Sequence, residues 1–544
     1  MRKQTLIVAG AILLVGPAVA TLTTWAAQPT RLLWQKQGVE NVVAAAWIED
    51  LDGDAVSDVL FESFDAGAPA ADHLFAISGR SSGIGTVIWS ARPLGGPSNS
   101  GGYGEYCLQT SPDLTGDGVT DVLYGAAWGN RSAFLLNGMN GSTVWSFDTY
   151  EDSPPSPPES GWVYAITSLG SDLSGDGLPE VLFCAGSENH CVYCADGVTG
   201  EILWHHRGQD AFGFVSSIRD VDDDGIRDVL AAQIDSYPKV YVFSGAGAGG
   251  GAADIVWSQA MPNSPYSCCE LVLPLAVPST IVVGCWDNKI YGYDAATGGV
   301  RWDGTVGSPV MRVVVVRDVD DDGIDDIGVG SWGSAGRIHS GANGDVIWAT
   351  PVGDDCWTVD PVEDTNGDGY QELAVGSFNG RVYLMDGVTG EILWNYYVGD
   401  KVFTVRGVPD LTFNGIPDVV AGTQRLNDSG GICYALEGND DFPASVAETA
   451  GFETTLHIAP NPSQGSATWS FTLDAPPARA SLELYDPVGR LVGTLYHGAA
   501  GAGTTSVRWD AYREAGKRLP AGIYLGRLTA DGRVVATRRM LLLP

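Results

Sequence analysis

The sequence predicts an all-β chain: an eight-bladed β-propeller with strand-exchange closure, followed by a C-terminal Ig-like β-sandwich. Three observations predict this. Two motifs alternate from residue 31 to about 438 at the period of a four-stranded blade. The 72 Gly and 29 Pro leave few helix-forming runs. The first and last pieces of the array are complementary fragments of one repeat. With 544 residues, 44% hydrophobic and 18% charged, the chain is long enough for several cores. Its 30 Lys and Arg against 66 Asp and Glu give a net charge of −36, which excludes nucleic acid as a partner, because phosphate binding requires basic side chains.

At the amino terminus Arg2 and Lys3 precede an apolar run, Thr5 to Val15, and Ala18-Val19-Ala20 has the small residues that a signal peptidase reads. Residues 1–20 are expected to be a secretory signal peptide, with cleavage after Ala20 or as late as Ala27. The apolar run falls short of the ~20 residues of a membrane span. No other segment qualifies, so no transmembrane segment is expected in the mature chain, which is placed outside the cell or on its outer surface. Export puts nine cysteines in an oxidising compartment. Cys184 and Cys191 flank a polar turn and are expected to face each other across a hairpin, with Cys194 as a competitor. Cys268 and Cys269 are adjacent.

The first motif is an acidic loop, Asp-x-Asp-x-Asp-Gly-x-x-Asp or a variant, entering a β-branched run. The oxygens at its positions 1, 3, 5 and 9 suit a hard cation that takes six to eight oxygen ligands, so structural calcium is expected at up to seven sites. The ligand sets are Asp50, Asp52, Asp54 and Asp58; Asp113, Thr115, Asp117 and Asp121; Asp172, Ser174, Asp176 and Glu180; Asp220, Asp222, Asp224 and Asp228; Asp318, Asp320, Asp322 and Asp326; Asp364, Asn366, Asp368 and Glu372; and Asp410, Asn414 and Asp418. Without a cation these carboxylates would repel one another. Thr at position 3 of the loops from Asp113 and Asp410, and Asn414 in the latter, predict weaker binding there.

The second motif is a strand, a Thr-Gly turn and a strand ending in Trp, as in Val192 to Trp204. Its tryptophans are Trp34, Trp89, Trp145, Trp204, Trp257, Trp302, Trp348 and Trp394. Seven loops against eight tryptophans leave one repeat without acids, and Leu271 to Gly284 aligns there. The last repeat stops after Ile432 to Gly438 without its tryptophan strand, while Arg31 to Gly38 is a lone tryptophan strand. A ring gains hydrogen bonds for both bare edges if the first segment completes the last blade. In the blade from Val163 the expected strands are Val163 to Leu169, Glu180 to Ala185, Cys191 to Ala195 and Glu201 to His205, so acidic loops and Thr-Gly turns share one face.

Insertions fall on the opposite face, at Glu62 to Asp72, Arg92 to Gly104, Asp148 to Gly161 and Gln259 to Ser267, where function usually resides. Tyr103, Tyr106, Trp128, Trp162, Tyr266, Trp286, Trp332, Trp357 and Phe378 are the ligand-face candidates there, since aromatic rings stack on sugars and anchor protein partners. No catalytic acid, base or nucleophile stands out, and the seven histidines form no ligand spacing.

Beyond Gly438 the composition changes: residues 448 to 544 hold ten Lys and Arg against eight Asp and Glu, leaving 20 against 58 in the preceding residues. Residues 439–453 read as a linker. Alternating runs such as Ala480 to Tyr485 and Thr504 to Trp509 then predict a sandwich over 454–544.

The acidic loop followed by a strand resembles the FG-GAP/VCBS-type repeat of integrin α-chain and secreted bacterial propellers. Asp196 to Trp204, Asp294 to Trp302 and Asp386 to Trp394 resemble the tryptophan-docking repeat of PQQ-binding-like propellers. Ala459 to Pro462, Leu484 to Arg490, Val507 to Asp510 and Leu519 to Tyr524 resemble the FlgD-like immunoglobulin domain and the type A sorting domain of type IX secretion, with Ala511 where those families usually carry Gly. The resemblance implies export through secretion machinery that reads residues 454–544. The expectation is a secreted or surface-attached, calcium-stabilised, non-catalytic propeller that binds a glycan or an extracellular protein. The alternative is an extracellular enzyme. PQQ-dependent dehydrogenases resemble the chain in eight blades, calcium and a vicinal disulfide, although their catalytic Asp is not located here; rhamnogalacturonan lyases resemble it in blade number and calcium loops.

Overall fold

The computed structural model describes residues 32–64, 71–95, 101–149, 161–187, 189–273, 278–424 and 430–438, and, towards the C-terminus, 455–459, 463, 465–473, 480–485, 491–498, 503–511, 518–519, 522–530 and 533–543. The expected signal peptide and the linker 439–453 lie outside these residues, as does most of the insertion from Asp148 to Gly161. The chain forms two compact units, Met1–Asp441 and Phe442–Pro544. Among the described residues there is no α-helix, only strands and one 3-10 turn, Glu105–Cys107.

The first unit is propeller-like, built from successive antiparallel four-strand groups. The third group shows the pattern, with Val163–Ser168, Val181–Ala185, Cys191–Ala195 and Ile202–Arg207 paired in order. Its middle strands are buried throughout and its fourth is half-exposed, as expected of a sheet packed on both faces near an axis. The last group, Val402–Val408, Asp418–Thr423 and Ile432–Leu436, takes its fourth strand from the start of the chain: Leu32–Gln37 pairs antiparallel with Ile432–Leu436, Gln35 opposite Tyr434. The first strands of consecutive groups lie against one another, and that of the last group lies against Asn41–Ile48 of the first.

The tryptophans join neighbouring groups. The indole N–H of the fourth strand donates to a carbonyl in or just beyond the third strand of the next group: Trp89 to Gly138 at 2.8 Å, Trp145 to Gly197 at 2.9 Å, Trp204 to Gly245 at 2.8 Å, Trp257 to Ala295 at 2.6 Å, Trp348 to Gly387 at 2.7 Å, and Trp394 to Gly438. Trp34, on the N-terminal strand, donates to Gly79 of the first group at 3.1 Å. Trp302 lies against Gly344 instead. The receiving glycine has no room for a side chain: a Cβ at Gly245 would sit 1.9 Å from the Arg227 carbonyl oxygen, and at Gly138 1.8 Å from that of Thr120.

The cysteine pairing expected across the third hairpin is corrected by its register. Cys184 stands opposite Val192 and Cys191 opposite Ala185, so the two thiols enter different cores, Cys184 the one that contains Trp204 and Cys191 the one that contains Trp145. All nine cysteines are free thiols. Cys268 and Cys269 point to opposite sheet faces, Cys268 into the core that contains Trp257 and Cys269 against the core that Trp302 also borders.

The second unit is Ig-like, with one sheet of Thr455–Ala459, Ser466–Leu473 and Gly503–Asp510 and another of Leu491–Gly498, Ala480–Tyr485, Gly522–Ala530 and Arg533–Leu542. Trp469, Phe471, Leu482, Leu484 and Leu528 fill the space between them. Ala511 is buried, with its N–H on Gly465 at 2.8 Å, so this site accommodates a methyl group.

Gly245→Ala is expected to destabilise the protein by about 2 kcal/mol or more through overpacking, read as a lower urea midpoint. The reverse change in the fifth group, Ala295→Gly, is expected to shift stability by less than about 1 kcal/mol.

Candidate functional site

Acidic loops occupy one end of the first unit. In every loop positions 4 and 6 take left-handed backbone: Asp223 and Gly225 have φ of 63° and 93°, and Asp321 and Gly323 61° and 89°. Ala55 is forced into the same conformation at 69°. The position 1 carboxylate closes the turn, as Asp220 does by accepting the Gly225 N–H at 2.8 Å. The position 9 carboxylate is buried and accepts two backbone N–H groups. Asp228 takes Val221 at 2.7 Å and Gly245 at 3.0 Å; Asp58 takes Leu51 at 2.7 Å and Gly79 at 2.9 Å. This glycine is the one whose carbonyl receives the neighbouring indole.

Four loops bring three carboxylates together with oxygens within 4.8 Å of one another: Asp50, Asp52 and Asp58; Asp220, Asp222 and Asp228; Asp318, Asp320 and Asp326; Asp364, Asp368 and Glu372. That spacing fits a shared cation. The structure departs from the expected sets at position 5. Asp54, Asp224 and Asp322 stand outside these trios and accept the N–H two residues on, at 2.9, 2.8 and 2.8 Å. In the loops from Asp113, Asp172 and Asp410, where Thr115, Ser174 and Asn414 replace acids, Asp117, Asp121, Asp176, Glu180 and Asp418 form no such trio among the described residues. Asn366 donates to Asp386 at 2.9 Å.

Burial, only partly offset by the backbone N–H groups, pushes the Asp58, Asp228 and Asp326 carboxyls up to about 6 and those of Glu372 and Asp418 up to about 8. Neighbouring acids add to the rise.

At the opposite end the aromatic candidates form two groups. Trp128 and Trp162 lie 4.3 Å apart, with Tyr103 5.4 Å from Trp162 and 5.9 Å from Tyr164. Tyr103 is 44% exposed and Trp128 40%. Tyr266 stacks on Trp286 at 4.7 Å, and Trp332, Trp357 and Phe378 lie within 5.9 Å of one another, joined by Phe403. Trp286 and Trp332 both direct their N–H at the Met311 sulfur, at 3.2 and 3.1 Å. Tyr164, Met311 and Phe403 were missed by the sequence reading. Their signal is a β-bulge repeated near the start of the first strand in six groups, where the residue skipped by the register is Val43, Tyr164, Gly213, Tyr266, Met311 or Phe403.

Tyr106 is a correction: it turns inward rather than joining this face. The turn Glu105–Cys107 lies along the axis, where the Tyr106 hydroxyl meets Ser267 at 2.6 Å and its ring meets Phe214 edge-on at 5.0 Å. Glu105 bonds Arg312 and the Thr358 hydroxyl, and its carbonyl accepts from Arg406 at 3.2 Å. Asp360 completes the cluster, 2.7 Å from Arg312 and 3.6 Å from Arg406. These side chains are at most 16% exposed. They sit on the first strands of three groups, while Ser267 and Phe214 belong to two more. One insertion thus fills the axis, and the pairing of distant acids and bases that holds it left no local pattern to read.

Residues 131–323 match the family described as outer membrane protein assembly factor BamB, and residues 459–533 match the FlgD Ig-like domain. No curated protein matches the chain. Among solved structures the chain is similar to the computationally designed Ika8 protein, at 14% identity and a TM-score of 0.49, covering 74% of this chain and 99% of that one. It is also similar to Sqt1 of Saccharomyces cerevisiae, at 12% identity and a TM-score of 0.45, covering 67% and 92%, and to BBS1N in complex with ARL6DN, at 14% and 0.43, covering 63% and 95%.

Two outcomes are expected. Glu105→Ala leaves Arg312 underpaired in a buried site and costs about 3 kcal/mol in urea unfolding. In chelator, the raised position 9 carboxyls bind more protons folded than unfolded, so stability falls as pH rises from about 4 to about 8. Asp418→Asn should flatten the upper part of that curve in thermal melts.

Proposed function

We propose that the chain is a secreted or outer-surface binding module, a closed eight-bladed β-propeller stabilised by calcium in its acidic loops. In this reading it engages a glycan or an extracellular protein without catalysis, and the C-terminal domain, acting as a sorting domain of the type IX kind, directs export. The observation that carries it is the gathering of aromatic rings at the end opposite the acidic loops, where the variable connections lie. The match over residues 131–323 to a family described as an assembly factor supports a protein-binding role over an enzymatic one. The Glu105–Cys107 turn supports it too, since it occupies the axis where a quinone enzyme would need a deep pocket. No helix among the described residues is long and apolar enough to cross a membrane.

Calcium would be held by Asp50, Asp52 and Asp58 and their counterparts, where each ion would neutralise carboxylates that burial now disfavours and tie the loop to its strands. Calcium is expected to raise the melting temperature relative to EDTA by more than about 10 °C, with four tight ions by titration and weaker ones at the loops from Asp113, Asp172 and Asp410. No bound ion and no shift would sink the calcium assignment. Glycan and extracellular-protein arrays are expected to return ligands whose affinity drops at least tenfold in Trp128→Ala or Trp332→Ala. Polysaccharide cleavage by the purified chain, or binding indifferent to both substitutions, would reverse this reading.

A further inference from the structure

The fifth group, with strands Pro265–Leu271, Thr280–Cys285, Lys289–Asp294 and Val300–Thr305, has no Asp or Glu between Leu271 and Gly284. Register identifies what stands at the loop positions there. Thr280 lies opposite Leu271 as Asp228 lies opposite Ile218 in the fourth group, so Thr280 holds position 9 and Pro278 position 7. Asp294 precedes Ala295 as Asp386 precedes Gly387 in the seventh group. The two aspartates are bonded alike on one side, where Oδ1 accepts the N–H and hydroxyl of Thr297 or of Thr389. On the other side Asp386 Oδ2 accepts from Asn366, position 3 of its acidic loop, at 2.9 Å. Asp294 Oδ2 accepts from a guanidinium instead. Arg301 donates Nη2 to that oxygen and to the Pro278 carbonyl, each at 2.7 Å, and Nη1 to the Thr280 hydroxyl at 2.5 Å. A hard cation in an acidic loop draws on oxygens of the same kinds: a carboxylate, the position 7 carbonyl and the position 9 side chain. The residue before the tryptophan is aliphatic in the other repeats, for example Leu203, Ile347 and Leu393, so the arginine occurs where the acids are missing.

We infer that Arg301 is the tethered cation of the fifth group: its guanidinium fills the place that a divalent ion takes in the acidic loops, so this group closes its loop without metal. The charges match. Three carboxylates within 4.8 Å of one another call for a divalent ion, whereas Asp294 offers one carboxylate and Arg301 answers it with one charge-assisted hydrogen bond. The inference rests on the calcium reading of the acidic loops and divides the first unit by it: groups with acidic trios answer to a chelator and the fifth does not. Because the fifth group carries the Tyr266–Trp286 stack, that part of the aromatic end keeps its support when metal is withdrawn.

The test follows hydrogen exchange of the full chain, peptide by peptide, in calcium and in EDTA, and counts bound calcium by titration. In the wild type EDTA is expected to speed exchange about tenfold in Asp58–Phe64, Asp228–Gln233, Asp326–Ser331 and Glu372–Ser377 and to leave Thr280–Cys285 unchanged. Arg301→Gln removes the charge and should speed Thr280–Cys285 about tenfold in calcium and EDTA alike. An arginine with only a packing role would do the same, so the deciding variant moves the cation. Leu393→Arg places a guanidinium in the seventh group at the same bulge before the tryptophan. It is expected to lower the tight ions from four to three and to make Glu372–Ser377 indifferent to EDTA. Four tight ions in Leu393→Arg, or a response of Thr280–Cys285 to EDTA in the wild type, overturns the inference. If Leu393→Arg does not fold, Arg301→Lys decides: it keeps the charge and should hold Thr280–Cys285 within about threefold of the wild type, and exchange equal to that of Arg301→Gln overturns the inference. A wild type that binds no calcium overturns the calcium reading and the inference with it, whereas calcium binding with these variants failing overturns the inference alone.

Discussion

The first unit depends on one short chain of hydrogen bonds: a buried carboxylate, the N–H of a glycine, and the carbonyl of that glycine receiving an indole from the next sheet. In the fourth group these are Asp228, Gly245 and Trp204. Each link constrains the others. The acid tolerates burial only because backbone N–H groups hold it, and the glycine must lack a side chain because its Cβ would strike the carbonyl just before the acid. Of the two exceptions, Trp302 lies against Gly344 although Asp326 holds the Gly341 N–H, and the other is consistent with the coupling. The fifth group has no acidic loop, and there the glycine is Ala295, whose N–H turns to the Ser279 carbonyl while its own carbonyl still receives Trp257.

Because the acidic end carries the seams between sheets, the opposite end is free to vary in length and composition. Its connections hold the insertions, and one of them is drawn back into the axis as Glu105–Cys107. Two acids and two guanidiniums meet there out of water, an arrangement that stays bound only while all four remain, since removing one leaves another unpaired in a buried site. The segment therefore acts as an axial pin across sheets that otherwise touch only their neighbours. It also fixes Tyr103, two residues before it, on the exposed rim.

Repeats were legible in the sequence because they rest on local rules. Left-handed positions call for Gly or an Asp, tryptophans recur at a blade's length, and buried strands read as β-branched runs. The complementary ends of the array identified the partner of Leu32–Gln37 for the same reason. What was not legible depends on where a bulge or a long contact places a side chain. Tyr106 and Tyr103 sit three residues apart in one insertion, yet one faces Ser267 in the interior and the other faces solvent. Cys184 and Cys191 looked opposed by spacing, but their register places them on different sheet faces. Glu105, Arg312, Asp360 and Arg406 share no motif; only the packing of the first strands of successive groups brings them together.

The two ends also differ in what their charge does. At the acidic end the carboxylates are held by backbone N–H groups, and any cation bound there would neutralise them further, so their field at long range weakens when calcium is present. A bound cation would therefore strip much of the diffuse negative field from that end of the protein. A cation held at the position 9 carboxylates would in this way both stiffen the loops and lower the self-repulsion of the chain.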